Sequence, residues 1–394
     1  MAIGALIGAY QEDDRGGLKA LLPLAGRTLL EYQARCAAAA GAAPIVILVE
    51  RVPAALHEAI DRLRREGVAA VAVSDASEAA TRFEAGALVL LVGDGVVPTV
   101  DLLASCAAEV EPTIATIPDD EAHAGFERID AHSRWAGVAL VHGALVGATA
   151  AMLGDWDLQS TLLRRSLQDG ARRHPVVVGQ EPVLADSAEH LAGFERRLVV
   201  ASRGARRDWA SRYVLPIIED FATERLMDSP VRPQWLIWGA VALTISAAFA
   251  FTRGWFGAAT AMLVAATPLD LIARRLATLR LRPLATHALS QRLLWPLAGL
   301  AMLALGWRLT WHATGWGAFA TALAAAAFAE AARIERGGVH LPGEIWLFSR
   351  RNAILAAVPF ALFGAWTSAL AGLALYAAGS FFFIQHVRHR LQGD

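Results

Sequence analysis

Two cysteines, Cys36 and Cys106, are all that the 394 residues contain. A single pair makes no disulfide framework, and reduced cytosolic thiols are the expected state. An excess of positive charge is missing too: the formal net charge is -1, which argues against a nucleic-acid binder. The opening MAIGALIGAY has no basic n-region and meets acids at once, so it reads as a buried strand and not as a secretory signal. The histidines of the first half, His57, His123, His132, His142, His174 and His190, fall at no metal-ligand spacing. Each reads as a surface or core histidine. No inverted repeat is detectable, which disfavours a small-solute transporter.

What the chain has in abundance is apolar residues. It is 55% hydrophobic, with mean hydropathy +0.40, and long enough for two or three domains. Composition changes near residue 230. Before it, strand-length apolar runs (Ile3–Ile7, Pro44–Val49, Ala69–Val73, Leu88–Val92, Thr113–Ile117, Gly137–Val141, Val176–Val178) alternate with helical stretches (Leu29–Ala40, Pro53–Glu66, Val100–Val110, Ala144–Met152, Gln159–Ser166). That alternation predicts an α/β domain over 1–200 with a mainly parallel sheet covered on both faces. Residues 201–233 mix arginines with Trp209, Tyr213, Ile217, Ile218 and Phe221. They predict an amphipathic linker broken near Pro216, lying at the lipid interface or packed on the soluble domain.

Residues 234–394 carry six apolar runs: Trp235–Phe251, Trp255–Ile272, Leu289–Trp307, Trp316–Ala332, Asn352–Trp366 and Ser368–Ile384. Most approach the length that crosses about 30 Å of hydrocarbon, and tryptophans mark their ends. The predicted architecture here is an all-α six-helix transmembrane domain. Arginines gather after the second and fourth runs and at the C-terminus, whereas the opposite connections carry only Arg253 and Arg308. The positive-inside rule then puts the N-terminal domain and both termini in the cytoplasm of a multi-pass inner-membrane protein.

The stretch from Ala266 to Gln291, ATPLDLIARRLATLRLRPLATHALSQ, has Ala273-Arg274, then eight residues, then Pro283, His287 and Gln291. It resembles the signature of the CDP-alcohol phosphotransferase family, membrane enzymes that transfer a phosphoalcohol from CDP and release CMP. The family's four metal-binding aspartate positions hold Ala266, Leu269, His287 and Gln291 here, and a glycine position holds Asp270. Hard cations need oxygen ligands, so the scaffold is expected without its metal cage. His287 and Gln291 share a helical face and suit a hydrogen bond or one softer metal. Asp270 reads either as an ion-pair partner of a nearby arginine or as a displaced ligand. The resemblance implies anion binding by Arg274, and by Arg350 and Arg351 in Phe348-Ser349-Arg350-Arg351-Asn352. Snorkelling is the plainer reading of those arginines.

In the first half, Gly8–Lys19 followed by LLPLAGRTLLEYQ resembles the opening of sugar-phosphate and alditol-phosphate nucleotidyltransferases. The resemblance implies nucleotide-phosphate contacts at Gly8, Arg15, Lys19 and Arg27, although Glu12, Asp13 and Asp14 bring acids into that loop. LVLLVGDG at Leu88–Gly95 resembles the strand that ends in the family's metal aspartate. It makes Asp94, with Lys19, the implied catalytic pair and Asp94 the implied Mg²⁺ ligand; the alternative is a Gly-Asp-Gly turn residue. Trp135-Ala136-Gly137 resembles the strand that floors the acceptor pocket. In Leu184–Leu198, Asp186 or Ser187 reads as an N-cap or a second ligand.

Both halves in order are similar to fused nucleotidyltransferase–CDP-alcohol phosphotransferase proteins, such as the bifunctional inositol-phosphate cytidylyltransferase/di-inositol-phosphate phosphate synthases. That implies phospholipid or lipid-headgroup biosynthesis, with CTP or a CDP-alcohol as substrate, Mg²⁺ as cofactor, and a membrane lipid and a phosphorylated or nucleotide-linked alcohol as partners. It leaves room for a homodimer through the membrane domain. Two functional readings stay open: a transferase of phosphorus-containing groups, and a non-catalytic scaffold that partners an active phosphotransferase.

Overall fold

The structure, a computed structural model, describes every residue except 1–2, 153–156, 186–187, 203–205, 228, 230, 282–288, 312–314, 338–340, 342 and 394, with backbone alone at 188–190, 200, 201, 291 and 391–393. The chain divides into two compact units, Met1–Val200 and Ala201–Asp394.

The first unit is built on strands β1 (Ile3–Gly8), β2 (Pro23–Leu24), β3 (Arg27–Thr28), β4 (Ile45–Leu48), β5 (Ala70–Val73), β6 (Leu88–Val92), β7 (Val96–Val97), β8 (Thr113–Pro118), β9 (Ser133–His142), β10 (Arg172–Pro175) and β11 (Val183–Leu184). Its helices are α1 (Leu29–Ala39), α2 (Ala54–Arg65), α3 (Ala76–Thr81), α4 (Val100–Ala107), α5 (Gly143–Ala150), α6 (Leu158–Gln168) and α7 (Ala188–Ala201). Seven strands form one sheet in the order β10-β8-β9-β6-β1-β4-β5. Pairing is parallel from β6 through β1 and β4 to β5 and between β10 and β8, while β9 runs antiparallel between β6 and β8. The mainly parallel sheet is therefore as expected, and its central strands are buried on both faces, which is why they read as unbroken apolar runs.

One strand lies elsewhere than expected. Val176–Val178 is not a strand, and Val178 is 92% exposed. The strand is β10, whose sequence is RRHP. It is an edge strand, and an edge tolerates charge that a central strand would not; Arg173 spends its charge on Asp130 at 2.5 Å.

Helix ends follow local chemistry. The Thr28 hydroxyl accepts the Glu31 amide, and the Glu31 carboxylate accepts the Thr28 amide, which closes a capping box on α1. Asp157 and Thr99 cap α6 and α4 by accepting the Ser160 and Leu102 amides, without the reciprocal bond. On α2, Leu56, Ala59, Ile60 and Leu63 repeat at helical spacing and are the buried residues.

The second unit is helical: α8 (Pro216–Met227), α9 (Pro233–Arg253), α10 (Phe256–Leu279), α11 (Leu289–Leu309), α12 (Trp316–Arg336), α13 (Arg350–Leu362) and α14 (Trp366–Gly393), with a π-helical turn at Ala210–Val214. Among the described residues, four of these helices are long and apolar enough to cross a membrane: α9, α10, α12 and α14. The runs expected as third and fifth spans are helical, as α11 and α13, but are not among the four. At 13 residues α13 measures about 20 Å, short of the hydrocarbon thickness.

The expected break at Pro216 is where α8 begins. The first turns of this helix put one acid inward and apolar residues outward. Glu219 is buried against Arg206 and Arg275, while Ile217, Ile218 and Phe221 are exposed.

Candidate functional site

In the first unit, the parallel strands deliver their carboxyl ends to one edge, and Asp94 stands there, one residue beyond β6 with Gly93 between. Asp94 is 6% exposed. Its Oδ2 accepts the backbone amides of Tyr10 and Gln11, each at 2.7 Å. Its own amide donates to Gln159 Oε1 at 3.0 Å, and Gln159 Nε2 donates to the Val92 carbonyl at 2.9 Å. Gln33 holds the other side of the turn through the Gly93 and Val96 carbonyls. Asp94 Oδ1 is buried without a hydrogen-bond partner.

Burial pushes the Asp94 carboxyl above its ordinary range; the Gln11, Tyr10 and Gly95 amides and the Lys19 charge offset this only in part. An orphaned carboxylate oxygen beside an ammonium suits a hard divalent cation or a proton. Among the described residues no group of three or more His, Cys, Asp or Glu could hold a metal ion. A cation here would need oxygens from a phosphate substrate, as Mg²⁺ commonly does.

Lys19, the only lysine in the chain, lies beside this carboxylate. Its Cδ would stand 2.9 Å from a Cβ on Gly95, so the bare glycine, at φ +69°, makes room for the lysine stem. Two of the three acids of the Tyr10–Lys19 loop have partners, and Asp14 is exposed. Asp13 accepts the Arg15 and Gly17 amides, and Glu12 pairs with Arg51 at 2.6 Å. Arg15 sits exposed on this loop, and Arg27 is half-buried in β3. Gly8 is buried at the end of β1, where a Cβ would come within 2.7 Å of Gln159 Nε2; its bareness admits Gln159. Asp94 and Lys19 thus come together, while Arg15 stays at the loop surface. Gly137 accepts the Gly93 amide at 2.7 Å, and a Cβ on it would stand 2.4 Å from Val96 Cγ2.

Tyr10, Gln33, Asp157 and Gln159 were not singled out by the sequence. The Tyr10 hydroxyl donates to Asp157, and burial together with that carboxylate raises the Tyr10 pKa. Asp186 and Ser187 lie outside the described residues.

In the second unit, the positions of the membrane motif separate by role. Ala266 and Ala273 are fully buried against Ile237, Ala240 and Val241 of α9, and Leu269 packs beside Gly239. Apolar packing fills these sites. Pro283 and His287 lie outside the described residues, and Gln291 is described only as backbone of α11.

Asp270 is 4% exposed and accepts Arg350 Nη2 at 2.7 Å and Arg351 Nη2 at 2.5 Å. Arg351 Nη1 reaches Asp208 at 2.7 Å. Of the two readings of Asp270, the ion pair is the one observed, though the arginines come from α13 and not from its own segment. Asn352, the only asparagine in the chain, accepts the Ala210 amide and donates to the Ile345 and Leu347 carbonyls. Arg274 is exposed. Arg275 and Arg280 are buried instead: Arg275 binds Asp220, and Arg280 donates to carbonyls at the end of α8.

No family model and no curated protein matches this chain. Among solved structures, a putative glucose-1-phosphate thymidylyltransferase from Bacillus anthracis, crystallised in complex with a sucrose, is similar over 50% of this chain and 95% of its own, at 10% identity and a TM-score of 0.40. A likeness that distant assigns no activity.

Proposed function

We propose that the chain is an integral membrane protein of phospholipid or lipid-headgroup biosynthesis. In this reading it pairs a nucleotidyltransferase-like domain with a CDP-alcohol phosphotransferase-like domain that has lost its metal aspartates. The first unit takes CTP or a CDP-alcohol at the carboxyl edge of its sheet. Asp94 holds Mg²⁺ through Oδ1, Lys19 meets phosphate charge, and Gln33 and Gln159 fix the turn that carries Asp94. The metal would neutralise phosphate oxygens during transfer. The observation that carries this reading is the orphaned Oδ1 of Asp94 at a strand end beside the only lysine. Arginine asymmetry between the connections supports an inner-membrane protein with both termini cytoplasmic, and a homodimer through the helical unit fits the same picture.

A second reading, a non-catalytic scaffold for an active phosphotransferase, draws on the pairing of Asp270 with Arg350 and Arg351. Purified full-length protein decides between the two. The transferase reading expects Mg²⁺-dependent CTP turnover that Asp94→Asn abolishes. Absence of nucleotide binding would leave the scaffold. Release of CMP from a panel of CDP-alcohols would show transfer activity in the membrane half without the aspartates.

A further inference from the structure

The helical unit contains a cavity of about 730 Å³ that shares none of its lining with Ala266, Leu269, Asp270 or Ala273. Its volume lies within the ordinary range for small-ligand sites, roughly 300–1,000 Å³. The lining is charged at one end and, apart from Thr260, apolar along the rest. Arg292 near the start of α11, Arg333 near the end of α12 and Arg350 at the start of α13 share one end of the antiparallel helices, with Glu330 as the one acid. Phe251, Leu305 and Trp366 lie at the other end. From Arg292 to Leu305 along α11 is about 20 Å at helical rise, longer than one leaflet of a hydrocarbon core about 30 Å thick.

The polar end is built, not incidental. The Arg350 side chain is 8% exposed. Its Nη2 is held by Asp270, which fixes the guanidinium plane, and its Nη1 is buried with no hydrogen-bond partner. A buried guanidinium nitrogen without an acceptor is costly, and ionisable groups at membrane depth are functional candidates by default. Arg333 is held over the Trp295 ring at 5.9 Å and bound to Glu330, which also accepts the Trp295 indole N–H. These contacts fix a second guanidinium at the same end.

We infer that this cavity binds a single-chain lipid phosphate: a phosphomonoester head received by Arg350 Nη1, with Arg292 and Arg333 at the mouth, and a hydrocarbon tail laid against Leu263, Leu303 and Ile354. Three arginines lining the same end of one cavity suit a phosphate, which offers three acceptor oxygens, better than a carboxylate with two. The inference goes beyond the nucleotide reading and does not use Asp94 or Lys19.

The test is binding of hexadecyl phosphate, palmitate and hexadecanol to the full-length protein in phosphatidylcholine nanodiscs. Hexadecyl phosphate is expected to bind roughly tenfold or more tighter than hexadecanol, the size expected of a charge-assisted contact. Arg350→Lys keeps a cation for Asp270 but removes the second guanidinium branch; it should abolish that preference and leave hexadecanol binding unchanged. Gly299→Phe acts on the tail alone, since a Cβ at Gly299 meets nothing within 4 Å, and should weaken hexadecyl phosphate without touching the ion pairs. Equal binding of all three amphiphiles, a preference for palmitate, or indifference to Gly299→Phe would each overturn the inference. CTP turnover by the same samples reports separately on the nucleotide reading.

Discussion

Asp94→Asn separates the structural cost of a buried carboxylate from its use. In the folded chain the carboxyl is almost wholly buried, and one oxygen lacks a partner. An unsatisfied buried polar group costs roughly 1–3 kcal/mol. Asparagine can keep its oxygen on the Tyr10 and Gln11 amides and lose the charge, but its own N–H₂ then faces the unpartnered side. The net gain is therefore expected at the low end, about 1 kcal/mol. The sign with pH follows from the raised folded-state pKa. Relative to the variant, the wild type has its full stability below the unfolded carboxyl value of about 3.9. It loses that stability as pH rises through the higher folded value. The advantage of the variant is thus greatest at neutral pH and vanishes in acid. Excess Mg²⁺ should reverse the order, because a ligand at a hundred times its Kd adds about 2.7 kcal/mol to the form that binds it. Hydrogen exchange of the β6–Asp94 segment and of the Tyr10 and Gln11 amides, with and without Mg²⁺, reads both effects. A variant less protected than wild type at neutral pH without metal would refute the account of burial. Equal Mg²⁺ protection of both proteins would refute the role assigned to Oδ1.

Asp270→Asn strips Arg350 of its carboxylate and leaves Arg351 with Asp208 alone, and should destabilise the helical unit by about 3–5 kcal/mol, the usual cost of breaking a buried pair. Thermal melting of the detergent-solubilised protein measures it, and Asp270→Leu combined with Arg350→Leu should recover part of the loss. Glu31→Gln removes the carboxylate that caps α1 and binds Arg35 and Arg62, at a cost of about 3 kcal/mol. Burial alone would raise the Glu31 pKa, but Arg62, the Thr28 amide and Arg35 outweigh it and hold it below the ordinary value. Its contribution is present above the unfolded value of about 4.3 and is lost as pH falls through the lower folded one, so wild type and variant should converge in acid denaturation.

The parallel sheet was legible because its inner strands are apolar on both faces, so Ile45–Leu48 or Leu88–Val92 needs no partner to be recognised. Asp94 was legible because a carboxylate just after such a strand must lie at the sheet edge. What escaped depends on pairing across long separations. Arg351 and Asp208 are 143 positions apart, and Gln159 reaches the Asp94 turn from 65 positions away. The arginines after the second run were read together as an orientation signal. Arg275 and Arg280 are in fact buried and bound to α8 and its C-terminal end, and nothing local separates them from exposed Arg274. β10 escaped for the opposite reason: its pattern is polar, and only its place at the sheet edge explains it.

The Asp270 cluster bears most directly on what the helical unit can bind. Two carboxylates, Asp208 and Asp270, face two guanidiniums, Arg350 and Arg351. The set is balanced in charge without any bound ion. A divalent cation placed beside Asp270 would meet two fixed arginines at close range and would have to displace one of them. Where the resembled family brings aspartates together, this chain supplies apolar contacts at Ala266 and Leu269 and a cationic partner at Asp270. The two arginines fixed on Asp270 therefore disfavour an arriving metal at this position. Two guanidinium nitrogens of the cluster, Arg350 Nη1 and Arg351 Nε, are buried without an acceptor, and of the two residues only Arg350 lines the cavity proposed to take a lipid phosphate.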